Sequence, residues 1–258
     1  MNLENAKKLK TKIRNGEVSV GTWMQISHPS IAEILAQSGY EWIAIDLEHG
    51  SFSPGELPDV FRAIELHGSQ PFVRLAVGTR KDVKTALDAG ATGIIVPMIE
   101  SAKQLQDIIT EMQYPPLGIR GVGFSRANTY GKNFESYYGA INNSLTIVAQ
   151  IEHINAINNL DEILTVKAVD ALMIGPYDLS ASMGITGQFD HPDFLKALQT
   201  FKEKCLKAKK TMGFHVVKPE IAQLKMKIQE GYKFLPYSID GTFLHISANV
   251  NSELKGLI

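Results

Sequence analysis

At four points this chain passes from an apolar run into a short polar cluster whose side chains can bind a cation, move a proton or stabilise negative charge. Asp46-Leu47-Glu48-His49-Gly50 follows Trp42–Ile45, and Arg74 stands near the end of Pro71–Leu75. Gln150-Ile151-Glu152-His153 closes the run Leu145–Ile151, and Gly175-Pro176-Tyr177-Asp178-Leu179-Ser180 follows Ala171–Ile174. Glu152 and Asp178 are expected to ligate one divalent cation. Paired carboxylates suit a hard, octahedral ion whose other positions are filled by water and substrate oxygens. The chain offers no His/Cys array of the kind a structural zinc needs. An α-keto acid chelates such an ion through its carboxylate and keto oxygens, and the metal then stabilises the negative charge that appears as the adjacent methyl loses a proton. Arg74 supplies a second positive group, and Gln150 is expected to orient the substrate. His49, beside Asp46 and Glu48, is the expected acid/base. Its ordinary pKa of about 6.5 lies near neutrality, and a neighbouring carboxylate can orient the ring. Whether it deprotonates the substrate or a metal-bound water is left open by the sequence.

Each residue also has a bland reading. Asp178 can cap a short turn, Glu152 can cap a helix starting near Ile154, Arg74 can serve a structural ion pair, and His49 can be an ordinary loop histidine. What favours chemistry is their convergence on successive strand ends.

Those strand ends belong to a regular alternation. Strands are expected at Val18–Met24, Trp42–Ile45, Pro71–Leu75, Gly93–Pro97, Leu145–Ile151, Ala171–Ile174, Gly213–Val217 and Phe234–Tyr237. Helical patterns follow at Pro29–Ser38, Pro54–His67, Arg80–Ala89, Ser101–Met112, Ile154–Leu164, Pro192–Lys209, Pro219–Glu230 and Gly241–Leu254. Continuous runs such as Ile94-Ile95-Val96 are the mark of strands buried on both faces of a parallel sheet. Eight such units in 258 residues fit a (β/α)8 TIM barrel, an α/β fold, with its catalytic groups at the C-terminal ends of the strands. No linker or composition break divides the chain, so residues 1–258 are read as one domain. The segment 113–144 is long for a connection and rich in aromatic residues, and is expected to form an ordered loop near the site or a subunit contact.

Bulk properties narrow the partners. A formal net charge of −1 gives no field to gather nucleic acid or an anionic membrane. There is no apolar run of the roughly 20 residues needed to cross a bilayer, and Met1–Lys12 lacks a signal-peptide core, so a cytoplasmic location is expected. Cys205, the one cysteine, reads as a surface or half-buried thiol.

At the residues named above the chain resembles the HpcH/HpaI family of metal-dependent (class II) pyruvate aldolases, in the phosphoenolpyruvate/pyruvate barrel superfamily. The likeness runs from Gly21-Thr22-Trp23 to Ile239-Asp240. It is carried by Asp46-Leu47-Glu48-His49, Val96-Pro97-Met98, Tyr114-Pro115-Pro116 with Gly118–Gly123, Gln150-Ile151-Glu152 and Gly175–Ser180. The resemblance implies reversible cleavage of a 4-hydroxy-2-oxo acid, or a 2-keto-3-deoxy sugar acid, to pyruvate and an aldehyde through an enolate stabilised by Mg2+, Mn2+ or Co2+. It implies Glu152 and Asp178 as ligands, His49 with Asp46 in the acid/base step, and Arg74 near the enolate oxygen. Gln150, Glu48 and Trp23 would line the substrate pocket, and the backbone from Gly175 through Pro176 and Tyr177 to Asp178 would hold the pyruvate carboxylate. It further implies that Asp88 reaches a neighbouring subunit's His/Arg pair, within a homohexamer built as a dimer of trimers. Departures at Tyr177, His153 and Phe214–Lys218 bear on the aldehyde half. Three other readings are a Schiff-base lyase using Lys218, a citramalyl- or malyl-thioester lyase on the same barrel, and a non-catalytic binding homologue.

Overall fold

The computed structural model describes residues 2–249. Eight parallel strands close on one another in chain order, each hydrogen-bonded to the next and β8 returning to β1. They are β1 (Ser19–Met24), β2 (Trp42–Asp46), β3 (Gln70–Arg74), β4 (Gly93–Val96), β5 (Thr146–Ile151), β6 (Ala171–Ile174), β7 (Thr211–Phe214) and β8 (Phe234–Ile239). The expected (β/α)8 barrel is therefore the fold. In chain order the helices are α1 (Leu3–Arg14), α2 (Pro29–Gln37), α3 (Leu57–Leu66), α4 (Arg80–Ala89), α5 (Ala102–Met112), α6 (Phe134–Ser144), α7 (Ile154–Asn158), α8 (Leu160–Ile163), α9 (Pro176–Ser182), α10 (Pro192–Lys207), α11 (Ile221–Gln229) and α12 (Asp240–Ala248). The expected helix Gly241–Leu254 thus starts one residue early, and its residues beyond 249 lie outside the described ones.

Alternate residues of each strand point inward, and large rings meet small partners there. Trp42 stacks on Phe234 at 4.4 Å and on Phe72 at 5.2 Å between ring centroids. Glycines on neighbouring staves make the room: a Cβ on Gly21 would lie 2.1 Å from the Trp42 ring, and one on Gly93 would lie 2.4 Å from that of Phe72. The opposite strand faces pack against the helices in a second, larger apolar layer.

Four expectations need correction. No helix is expected before Val18, yet Leu3–Arg14 is a helix that plugs the N-terminal end of the barrel. Its Leu9 and Ile13 join the inward-facing cluster, and Lys10 donates to Asp170 (2.6 Å) and to the Leu145 carbonyl (2.7 Å), just ahead of β6 and β5. The segment 113–144 is ordered, as expected, but holds a helix: Tyr114 stacks on Tyr138 at 4.6 Å, and Tyr137 of α6 is buried. The pattern Ile154–Leu164 breaks into two short helices at Asn159. Cys205 is fully buried under α10, and burial pushes its thiol pKa up to about 12.

Candidate active site

The C-terminal mouth of the barrel gathers the polar clusters of β2, β3, β5 and β6. Arg74, at the end of β3, lies across from Asp46 at the end of β2, its register partner. Its Nε donates to Asp46 Oδ1 at 2.9 Å and its Nη2 to Asp46 Oδ2 at 2.6 Å, while Nη1 lies 3.2 Å from Glu48 Oε2. The guanidinium also sits over the Trp23 ring, 4.8 Å from its centroid. A planar fork held this way is fixed in orientation and cannot be replaced by a flexible ammonium.

Asp46 has no oxygen to spare for His49. Beyond Arg74 it accepts from Gln25 Nε2 at 2.7 Å and from the backbone N–H groups of Glu48 (3.1 Å) and His49 (3.2 Å). Asp46 ties down the turn that carries His49, whose side chain is exposed at the rim. Hydrogen bonds from Arg74 and Gln25 hold the Asp46 carboxyl below its ordinary pKa, outweighing the upward push of burial.

Glu152 lies at the centre of the mouth and is buried. Its Oε2 accepts from the Met98 backbone N–H at 3.1 Å, and its Oε1 accepts from Gln150 Nε2. Gln150, expected to orient the substrate, orients Glu152 through its amide nitrogen, while its Oε1 is buried without a hydrogen-bond partner. The strand-to-helix turn after β6 comes so close that a Cβ on Gly175 would stand 2.6 Å from Glu152 Oε1. Asp178, in the first turn of α9, is exposed and acts electrostatically on both Glu152 and Glu48. Burial first, then the negative charges of Asp178 and Glu48, raise the Glu152 pKa to about 7 against the pull of the Met98 N–H and Arg74. Glu48 is raised as well, chiefly by burial.

The capping alternatives resolve clearly. His153, not Glu152, caps α7, its Nδ1 accepting from Asn155 N at 3.1 Å, and it lies 3.4 Å from Glu100. This places His153 with Glu100 rather than in the mouth. Gly175, not Asp178, is the N-cap of α9. Asp88 stands on α4, where its Oδ1 accepts from Arg120 Nη2 of the same chain at 3.1 Å, so nothing brings it to the mouth within one subunit. Tyr177 is half exposed and meets Phe189 edge-on at 5.0 Å between centroids.

A divalent cation fits this donor set. Buried side-chain atoms without a hydrogen-bond partner include Gln150 Oε1 and Trp23 Nε1, both at the mouth. Isolated buried polar atoms are costly, and a cluster of them marks a place built for a ligand. A carboxylate pushed towards neutrality by burial and by its acidic neighbours is relieved by a cation between them. Among the described residues no group of three His, Cys, Asp or Glu side chains forms a metal cage. Glu152 and Asp178 are the carboxylates of the mouth that could hold such an ion.

Three residues at the site have roles that the sequence reading does not assign. Met98 contributes a backbone N–H, turned inward by a positive φ of 49°, so its side-chain type carries no signal. Gln25, just past the end of β1, braces Asp46. Asp240 accepts from the backbone of Gln25 (3.0 Å) and Ile26 (2.8 Å), fastening the loop after β1 to the end of β8.

The chain is similar to known proteins over nearly its whole length. The chain is 36% identical over 250 residues to the 2-keto-3-deoxy-L-rhamnonate aldolase of Escherichia coli strain K12, covering 96% of this chain and 92% of that protein. Its fold matches that of an HpcH/HpaI aldolase/citrate lyase family protein from Burkholderia cenocepacia J2315 with a TM-score of 0.90 at 29% identity, covering 97% and 99% of the two chains. It matches that of an HpcH/HpaI aldolase from Desulfitobacterium hafniense DCB-2 with a TM-score of 0.86 at 29% identity, covering 96% of each. The model of the HpcH/HpaI aldolase/citrate lyase family aligns with residues 19–246, from the first residue of β1 into α12. With the barrel, its motifs and these likenesses in agreement, the chain belongs to the HpcH/HpaI aldolase/citrate lyase family.

Proposed function

We propose that this protein is a divalent-metal-dependent aldolase that reversibly cleaves a 4-hydroxy-2-oxo acid, of the 2-keto-3-deoxy sugar acid type, to pyruvate and an aldehyde. The observation that carries the reading is the buried Glu152 carboxylate, raised towards neutrality beside Asp178 and Glu48 and surrounded by unpartnered polar atoms. Glu152 and Asp178 would hold Mg2+, Mn2+ or Co2+. The bound ion would supply Lewis-acid stabilisation of the charge that appears on the keto oxygen as the carbon–carbon bond breaks.

The chain's own groups do the rest. Arg74, locked by Asp46, presents fixed positive charge to that oxygen at no cost of reorganisation. Gln150 holds Glu152 in place, and the Trp23 ring walls the pocket beneath the Arg74 guanidinium. The turn Gly175-Pro176-Tyr177 offers backbone to the pyruvate carboxylate, while Glu48 lines the approach. His49, exposed at the rim, is placed to exchange the proton of the 4-hydroxyl with solvent. A homo-oligomer belongs to the same proposal, with Asp88 turned to a neighbouring subunit. Supporting it are the exposed apolar side chains of Leu117, Ile119, Val122 and Phe124, which lie consecutively along the segment between α5 and α6.

The test is pyruvate release from 2-keto-3-deoxy-L-rhamnonate before and after chelation. Activity is expected to vanish with chelator and return with Mn2+ or Mg2+. Full activity in metal-stripped protein would defeat the reading.

A further inference from the structure

The Met98 backbone N–H reaches Glu152 from a strained turn. Met98 lies two residues past the end of β4, with a φ of 49° in the left-handed region. Residues other than glycine are uncommon there, because their Cβ crowds the neighbouring carbonyl. Such a conformation persists only where the surrounding contacts impose it. This turn aims the Met98 N–H at Glu152 Oε2, 3.1 Å away.

Contacts that impose it come from α5. Gln104, in the first turn of that helix, donates from Nε2 to the Met98 carbonyl at 3.1 Å and accepts at Oε1 from the Glu100 N–H at 2.8 Å. One partner accepts and the other donates, so the orientation of the amide follows from them. The peptide before Met98 thus donates to Glu152, and the peptide after it accepts from Gln104. Both sides of the left-handed residue are held. Glu100 is fixed in turn, its Oε2 accepting from Asn155 Nδ2 at 2.8 Å and its carbonyl from Asn159 Nδ2 at 2.9 Å.

Helix capping explains half of what Gln104 does. Ser101 is the N-cap of α5, its hydroxyl accepting from Gln104 N at 3.2 Å. A glutamine at this third helical position ordinarily turns its side-chain oxygen back to the backbone N–H of the cap, and the bond to Glu100 is of that kind, one residue further back. The start of a helix lacks partners for N–H groups and not for carbonyls, so the bond from Nε2 to the Met98 carbonyl lies outside capping. We propose that Gln104 is a positioning residue for the cation site: by clamping the turn at Met98 it holds the N–H that keeps Glu152 directed at the ion. The inference rests on the reading of Glu152 as a ligand and extends it to a residue on an outer helix.

Gln104→Glu separates the two roles. It keeps an oxygen for the Glu100 N–H and loses the donor to Met98, while its added negative charge would by itself draw a cation more tightly. Removing a group that holds a metal ligand in place typically weakens metal binding about 10–100-fold. Mn2+ affinity, read by titration calorimetry, is therefore expected to weaken about tenfold in Gln104→Glu, with the urea midpoint near that of wild type. Gln104→Met, which loses both bonds, is expected to weaken it as much and to lower the urea midpoint as well. Wild-type affinity in Gln104→Glu, whatever Gln104→Met does, would reduce Gln104 to a helix cap and overturn the inference while leaving the aldolase reading intact. Wild-type protein that binds no Mn2+ would overturn both.

Discussion

Asp46 holds Arg74 through both carboxylate oxygens, at 2.9 and 2.6 Å, and both side chains are buried. Removing one partner of such a pair strands the other's charge, at a cost of about 3–5 kcal/mol. Asp46→Asn is therefore expected to lower the urea midpoint without changing the slope, and to reduce pyruvate release at least tenfold as the fork loses its orientation. A variant with wild-type stability and activity would show that the pair supports neither the fold nor the site.

The raised Glu152 pKa makes a prediction about pH. In metal-free protein the folded state keeps a proton up to about pH 7 that the unfolded chain releases near its ordinary value, 4.5. Native protein thus binds more protons in that window. The stability this group contributes is complete below about 4.5 and is lost as pH rises through about 7. Glu152→Gln, permanently neutral, is expected to lack this decline, so the stability difference between the two proteins should change sign or shrink across the window. Metal must displace the same proton, so affinity for Mn2+ is expected to rise through pH 7 in wild type alone. Urea titrations from pH 4.5 to 8, with and without Mn2+, read both effects.

Gly175 stands where any side chain would strike the Glu152 carboxylate. Gly175→Ala is expected to move that carboxylate and to weaken Mn2+ binding at least tenfold, at a stability cost of about 1–3 kcal/mol. Calorimetric metal titration of the folded variant checks it. Unaltered affinity would mean that Glu152 is not a ligand, or that the turn yields without disturbing it.

Cys205 is predicted to be inert while the protein is folded. Its thiol is buried and its pKa is pushed up to about 12, so little thiolate forms near neutrality. Labelling by a thiol-specific reagent should follow unfolding in urea. Rapid labelling of native protein would contradict the burial under α10.

Much of this was legible because buried parallel strands are written as unbroken β-branched runs. β4 and β6 stand where Ile94-Ile95-Val96 and Ala171–Ile174 place them. The seventh strand was displaced because Val216-Val217 looks like strand core. Pairing instead ends at Phe214, and only Val216 makes an isolated bridge to Tyr237. Helix α1 was hidden by its lysines, although Leu9 and Ile13, four residues apart, already marked its buried face. In the site, residue types pointed to Glu152, Asp178, Arg74 and Asp46, because charge at a strand end is conspicuous. Which carboxylate would orient which partner was not legible. Asp46 takes Arg74 rather than the His49 ring because β2 and β3 pair in a register that sets them side by side, a property of the closed sheet and not of either motif. The Met98 N–H is silent in sequence for a simpler reason: every residue but proline has one.

Whether Glu152 and Asp178 place a cation where a small keto acid can chelate it is read by following pyruvate methyl-proton exchange in D2O by NMR. Exchange is expected from wild-type protein with Mg2+, to stop on chelation, and to be absent from Glu152→Gln and Asp178→Asn with the metal restored. Exchange at the wild-type rate in either variant, or in metal-stripped wild type, would contradict the account.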